Sequence, residues 1–404
     1  MDFKEILNFI PEVSYVPEYD PAVNIPCGTV RALFYEGMNY NNRKTRIFAY
    51  LGIPDCVEKF AVPAVVLVHG GGGHAYYEWV RRWMEKGYAA IAMDTEGYFP
   101  DDAYKGIAGG FEGEPREMYT RFGDDDDYAS IPSAASAGGN VCESEDTPLS
   151  EQWIYHAVSA VIAAHNILKN DCRILSNCIG ICGISWGSVV SSIAIGYDNR
   201  FAFAINVYGS AFLEHSLSGI MRPFRRISPN NYQNATANIG NVKFPVLWMC
   251  WNYDQCFSIL PNSLSYLATR DCGSRLCIKN EWSHSHSHAW NSAEPYVFAD
   301  YAIGKKEFIE IITEEKSDNG SVKWRINGNS PIKSTRVFYL TSPMKYSENS
   351  WMLNEWKTVE AELIGNTVYA GLPDNAESYY LEVVAGFDSG RYTVCSEYTV
   401  KSQT

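Results

Sequence analysis

Ile179-Gly180-Ile181-Cys182-Gly183-Ile184-Ser185-Trp186-Gly187 is the run from which the rest of this chain can be placed. Its first six residues are apolar or glycine, and the small residues from Ser188 to Ile195 that follow can start a helix. Gly183-Ile184-Ser185-Trp186-Gly187 is a G-x-S-x-G pentapeptide on a strand-to-helix turn. The glycines allow a sharp bend that lifts the serine Oγ out of the sheet edge and frees the next backbone N–H. G-x-S-x-G alone occurs in many unrelated turns, so the surroundings must decide whether Ser185 is a nucleophile.

Upstream, Ala64-Val65-Val66-Leu67-Val68 is a continuous apolar run of the kind buried on both faces of a parallel sheet, and it ends in His69-Gly70-Gly71-Gly72-Gly73-His74. An amphipathic helix from about Tyr76 to Lys86 and a second buried strand, Ala89 to Met93, complete a strand-helix-strand unit. Arg31–Tyr35 and Thr45–Leu51 read as strands joined by a turn at Asn39-Tyr40-Asn41-Asn42, preceded by a proline-rich arm. Downstream come a helix over Glu151–Asn170, strands at Phe203–Tyr208, Pro245–Cys250 and Arg275–Lys279, and helices near Leu260–Ala268 and Ala293–Ile303. Two stretches, about 97–148 and 209–241, break this rhythm and read as lid-like inserts. After Gly304 the text turns to short alternating runs separated by turn residues, the pattern of an all-β sandwich. The expected organisation is therefore an α/β catalytic domain over 1–304, with a mostly parallel sheet and helices on both faces, and a β-sandwich module over 305–404.

A net charge of -14 and a pI near 5.1 argue against binding a phosphate backbone or an anionic membrane surface. No stretch approaches the roughly 20 apolar residues that span a bilayer. Met1–Ile6 shows neither a basic nor an apolar export region, so a cytoplasmic location is expected. The 11 cysteines, many within apolar runs and none in a C-x-x-C pair, read as buried free thiols.

Acyl transfer by a serine needs a base, an acid to orient it and N–H donors for an oxyanion. Ser185, Asp254 and a histidine of Ser283-His284-Ser285-His286-Ser287-His288 follow in that order, each just past a strand end, where the strands of such a sheet converge. His284 is the first choice of base and His286 the alternative, with His288 last. The oxyanion donors would be the N–H of Trp186 and that of Gly71 or Gly72. The glycine loop lacks a following Lys-Ser/Thr, which excludes a phosphate-binding P-loop. The histidine tract could hold a divalent ion, but no nearby carboxylate or cysteine completes a set, so no metal and no cofactor are expected. His69 reads as a brace of the glycine loop, and Asp94 as a pin for the loop after its strand.

The segment from about Arg31 to Gly304 resembles the α/β-hydrolase superfamily. Within it, three stretches are similar to acetyl xylan esterase and dienelactone-hydrolase-like, prolyl-oligopeptidase-related bacterial hydrolases: Val68–Gly73, Gln152–Val158 ahead of the pentapeptide, and His284-Ser285-His286 before Trp290. The resemblance implies Ser185 as nucleophile, Asp254 as acid and a histidine of the 284–286 stretch as base. Ser188 stands where relatives usually carry glycine, and His288 extends the usual H-x-H. The expected activity is serine carboxylic-ester hydrolysis, and the resemblance implies removal of O-acetyl groups from xylan-type oligosaccharides. Two alternatives stand beside it: a prolyl-oligopeptidase-like peptidase, with Asp124–Asp127 receiving a peptide amino terminus, and an inactive carbohydrate-binding or scaffold protein.

Overall fold

The computed structural model describes residues 3–21, 25–55, 60–100, 119–121, 127–130, 147–226, 233–313, 321–346, 352–353, 355–386 and 390–401. Eight strands form the centre: β1 (Gly28–Tyr40), β2 (Arg43–Pro54), β3 (Val62–Val68), β4 (Ala89–Met93), β5 (Ile174–Ile184), β6 (Phe203–Val207), β7 (Val246–Trp251) and β8 (Arg275–Lys279). Their spatial order is β1-β2-β4-β3-β5-β6-β7-β8. β1 and β2 form an antiparallel hairpin whose turn residues Asn41 and Asn42 sit at φ 51° and 61°, a conformation asparagine tolerates well. From β4 to β8 every neighbouring pair is parallel. All residues of β3, β4 and β6 are buried, as their unbroken apolar runs require in a sheet covered on both faces.

The helices that cover it are α1 (Tyr77–Met84), α2 (Trp153–Lys169), α3 (Trp186–Tyr197), α4 (Ile259–Thr269), α5 (His286–Asn291) and α6 (Glu294–Ala302). α1 meets α6 through Trp83 and Tyr296, and α2 packs on α3. The N-terminal arm lies on α2, where the Asn166 side-chain amide donates to the carbonyls of Ile6 and Phe9. No helix among the described residues is long and apolar enough to cross a membrane.

Most of the 97–148 insert, including Asp124–Asp126, lies outside the described residues; within it Tyr98–Pro100 pairs antiparallel with Tyr119–Arg121. The described parts of the 209–241 insert form short 3-10 turns at Leu213–His215, Arg222–Arg225, Ala235–Ala237 and Ile239–Asn241.

Beyond Gly304 lie β9 (Glu310–Thr313), β10 (Ser321–Asn327), β11 (Ile332–Leu340), β12 (Lys357–Glu360), β13 (Glu362–Ile364), β14 (Thr367–Gly371), β15 (Ser378–Ala385), β16 (Tyr392–Cys395) and β17 (Thr399–Val400). They make two layers, β9-β10-β14-β13 and β16-β15-β11-β12, which meet where Trp324 packs edge-on against Tyr379. The second layer is an extension of the central sheet, because β16 pairs antiparallel with β8 at Leu276 and Cys395. The change of composition at Gly304 therefore does not coincide with a break in the sheet.

Candidate active site

The parallel strands end together, and the candidate residues Ser185, Asp254 and His284 lie just past three of those ends. Ser185 links β5 to α3 at φ 57° and ψ -120°, a strained backbone for a residue with a Cβ. Close packing holds it there. A Cβ on Gly183 would stand 2.4 Å from the Gly187 carbonyl oxygen, and one on Gly187 would stand 2.1 Å from that of Val68. The Ser188 hydroxyl lies 2.7 Å from the carbonyl oxygens of both Gly183 and Val207, so a small buried polar side chain fits where a glycine was the expectation from resemblance.

His284 Nε2 is 2.8 Å from Ser185 Oγ, and its Nδ1 is 2.8 Å from Asp254 Oδ2. The Asp254 side chain is fully buried, and its Oδ1 accepts the backbone N–H groups of Cys256 and Phe257 at 2.7 and 2.9 Å. A carboxylate so placed is satisfied without a cation, and only one of its oxygens is left for the imidazole. The His284 ring lies between those of Tyr208 (centroids 4.4 Å) and Phe257 (5.9 Å). Tyr208, one residue past β6 and itself at φ 74°, sends its hydroxyl to the Ser283 carbonyl at 2.7 Å, which ties the histidine loop to the sheet edge.

The three alternating histidines go to three different partners. His286 Nε2 accepts the Gly70 N–H at 3.0 Å, and its ring packs against Tyr76 and Trp290. The exposed His288 sits with Nδ1 2.8 Å from Ser283 Oγ. Within the tract α5 begins at His286, because the Ser285 hydroxyl caps it by accepting the His288 N–H. That cap turns His286 away from Ser185 and toward the glycine loop.

In this loop the Gly72 N–H donates to Glu96 Oε1 at 3.3 Å. The Gly71 N–H is engaged by no other described residue, and the N–H of Trp186, the first residue of α3, has no partner within its helix. Of the two glycines proposed from sequence, Gly71 is thus the one free to face a ligand. The Trp186 ring covers it so closely that a Cβ on Gly71 would meet Trp186 Cδ1 at 2.4 Å. Phe224, from the 209–241 insert, stacks on Trp186 at 6.1 Å, and Phe257 meets it edge-on at 5.9 Å. His69 Nδ1 is 2.7 Å from the Gly70 carbonyl and must donate to it, so Nε2 accepts the Thr95 N–H at 3.0 Å and the ring is neutral. Asp94 accepts the N–H groups of Glu96 and Tyr98, both at 2.8 Å. Tyr208, Glu96, Phe224 and Phe257 were not singled out from sequence; the position of Tyr208 just past a buried strand was the one available signal.

Asp254, Cys256 and His284 are the one group among the described residues whose ligand atoms lie close enough to hold a metal ion. Burial, with Asp254 beside it, pushes the Cys256 thiol up to about 12, and the Asp254 oxygens are already committed, so this set suits a protonated hydrogen-bond network better than a cation.

Burial also pushes His286 down to about 3 and both His156 and His165 on α2 down to about 4, while it raises Asp94 to about 6. Between pH 6 and 4.5 the unfolded chain holds a proton on each of those three imidazoles that the folded chain lacks. The folded chain in turn holds one on Asp94 that the unfolded chain lacks. The net excess of two protons in the unfolded state means stability is full above pH 6.5 and falls on acidification, by about 3 kcal/mol per pH unit from these four groups. Urea unfolding at pH 7, 6 and 5 measures this slope; a stability flat or rising toward pH 5 would contradict it.

No family model matches the chain, and no curated protein matches its sequence. Solved structures do. An acetyl xylan esterase from Thermoanaerobacterium sp. is 16% identical over 70% of this chain and 88% of its own, with a TM-score of 0.47. An S-formylglutathione hydrolase from Agrobacterium tumefaciens is 11% identical over 74% of this chain and 99% of its own, with a TM-score of 0.49. The acylaminoacyl peptidase of Pyrococcus horikoshii is 17% identical over 70% of this chain but only 42% of its own, with a TM-score of 0.46. Acetyl xylan esterases thus stand among the solved structures to which the chain is similar.

Proposed function

We propose that the protein is a serine hydrolase that cleaves carboxylic esters through an acyl-enzyme, with Ser185 as nucleophile, His284 as base and Asp254 as the acid that orients it. The observation that carries this reading is the single imidazole bridging Ser185 Oγ and a buried carboxylate at 2.8 Å on each side. Asp254 accepts from Nδ1–H, which leaves the Nε2 lone pair facing the serine hydroxyl. As Oγ attacks the ester carbonyl carbon, Nε2 takes its proton and the negative charge gathers on the carbonyl oxygen between the N–H groups of Trp186 and Gly71. Collapse expels the alcohol, which receives the proton from His284 and leaves the acyl group on Ser185. Water then repeats the sequence: its oxygen attacks the acyl carbon as His284 takes its proton, the acyl–oxygen bond to Ser185 breaks, Ser185 Oγ takes that proton from His284, and the acid departs.

For the substrate we propose O-acetyl esters of xylan-type oligosaccharides. Support comes from the half-buried Trp186 ring beside Ser185, held by the buried Phe224 and Phe257, since an aromatic face of this kind suits the C–H face of a sugar ring. Residues 305–404 we propose to be a β-sandwich module built onto the open edge of the catalytic sheet at β8. The test is acetate release from acetylated xylo-oligosaccharides by wild type and Ser185→Ala at equal folded concentration. Release that disappears in the variant is the expected result. Wild type that labels at Ser185 with a fluorophosphonate yet releases no acetate would remove the sugar-ester assignment, and failure to label would remove the hydrolase reading.

A further inference from the structure

The turn that carries Asp254 is gripped from outside by the C-terminal strands. Its inner side is tied to the sheet in the ordinary way: the Asn252 N–H donates to the Lys279 carbonyl at 3.0 Å, and the Trp251 indole N–H to that of Asn280 at 3.0 Å. Its outer side faces residues beyond Gly304. The Tyr346 hydroxyl donates to the Asp254 carbonyl at 3.1 Å, the Trp356 indole N–H donates to the Asn252 carbonyl at 3.1 Å, and the Trp356 backbone N–H donates to the Tyr253 hydroxyl at 3.2 Å. The fully buried Tyr380 of β15 packs edge-on against Trp356 at 5.2 Å, and its hydroxyl lies 3.4 Å from the Asn252 side-chain amide. Three consecutive residues of the turn therefore each accept a hydrogen bond from one module.

We infer that Tyr346 and Trp356, backed by Tyr380, are positioning residues that fix the Asp254 carboxylate against His284, so that the C-terminal module is part of the scaffold of the catalytic centre. This rests on the reading of Asp254 as the orienting acid. The internal bonds of the turn, from Cys256 and Phe257 to Oδ1, fix the carboxylate within the turn but not the turn relative to the histidine loop. The inner bonds to Lys279 and Asn280 hold the start of the turn, at Trp251 and Asn252, and the bonds from Tyr346 and Trp356 to the two carbonyls extend that constraint to Asp254 itself. A buried backbone carbonyl deprived of its donor moves toward water or another partner, and a displacement well under 1 Å at Oδ2 is enough to weaken a 2.8 Å bond.

The experiment compares wild type, Tyr346→Phe, Trp356→Phe and the double variant on p-nitrophenyl acetate across pH. Trp324→Phe, which loosens the contact between the two C-terminal layers and touches nothing in the turn, controls for lost stability. The double variant is expected to lose about 10-fold in kcat with KM within 2-fold of wild type. The acidic limb of kcat/KM should also move to lower pH, because an imidazolium less well paired with Asp254 gives up its proton more readily. The titratable groups facing His284 are Asp254, Cys256, Tyr208 and His286, and those facing Asp254 include Cys250 and Tyr346; none of these others is an anion in this range. Trp324→Phe should lower the melting temperature and leave the limb where it is. A double variant with wild-type kcat and limb would overturn the inference alone, whereas a wild type inert toward the ester would overturn the underlying reading and the inference with it.

Discussion

Asp254→Asn should lower kcat about 10⁴-fold while the protein stays folded. The size follows from the hydrogen-bond donors around the carboxylate. Two backbone N–H groups, from Cys256 and Phe257, point at Oδ1, so the introduced amide would keep its oxygen there and turn its NH2 toward His284. An NH2 facing Nδ1 forces that nitrogen to accept, which moves the ring proton to Nε2 and directs it at Ser185 Oγ. The imidazole then has no lone pair for the serine proton. Steady-state hydrolysis of p-nitrophenyl acetate gives the loss, and thermal melting checks the fold. A loss under 10-fold in a folded variant would mean that Asp254 does not orient the base.

The second large effect separates the histidines that sequence could not. His284→Gln removes the base and should cost at least 10³-fold in kcat, whereas His288→Gln should remain near wild type because His288 is exposed and bonds only to serines. His286→Phe should cost up to 10²–10³-fold, the range for losing one oxyanion donor, because Phe cannot accept the Gly70 N–H and the His69–Gly70 peptide, next to the peptide that carries the Gly71 N–H, loses its anchor. His286→Gln offers a carbonyl oxygen near the position of Nε2 and should recover most of that loss. Burial pushes the His286 imidazole down to about 3, so its Nε2 remains an acceptor near neutral pH. Equal losses in His284→Gln and His286→Gln would defeat this division of labour.

Much of the site could be read along the chain. Gly183 and Gly187 bracket Ser185 because only glycine fits where the elbow backbone crosses other backbone, and that demand is local in sequence. Val62–Val68, Phe203–Val207 and Val246–Trp251 are apolar throughout because both faces of the sheet are covered. A parallel sheet brings the C-terminal ends of such strands to one edge, so the order Ser185, Asp254, His284 already implied their meeting. Those features depend on composition and period, which a linear text records.

What remained open turned on partners far apart in sequence. Gly71 is distinguished from Gly72 by Glu96, 24 residues on, which takes the Gly72 N–H. His284 is distinguished from His286 by Gly70, 216 residues away, which claims the second imidazole, and by a serine cap that starts α5 one residue after Ser285. The composition change at Gly304 read as a boundary, yet β16 completes the edge of β8, because an unpaired strand edge will bond to whichever strand the fold brings beside it. Short stretches of the chain sufficed to single out Ser185, Asp254 and the histidine tract and the sheet edge on which they gather, since burial and backbone sterics are local properties. Packing alone selected which histidine faces the serine, which glycine N–H is left without a described partner and what grips the Asp254 turn, since each is a choice among hydrogen-bond partners that come within reach only when distant segments meet.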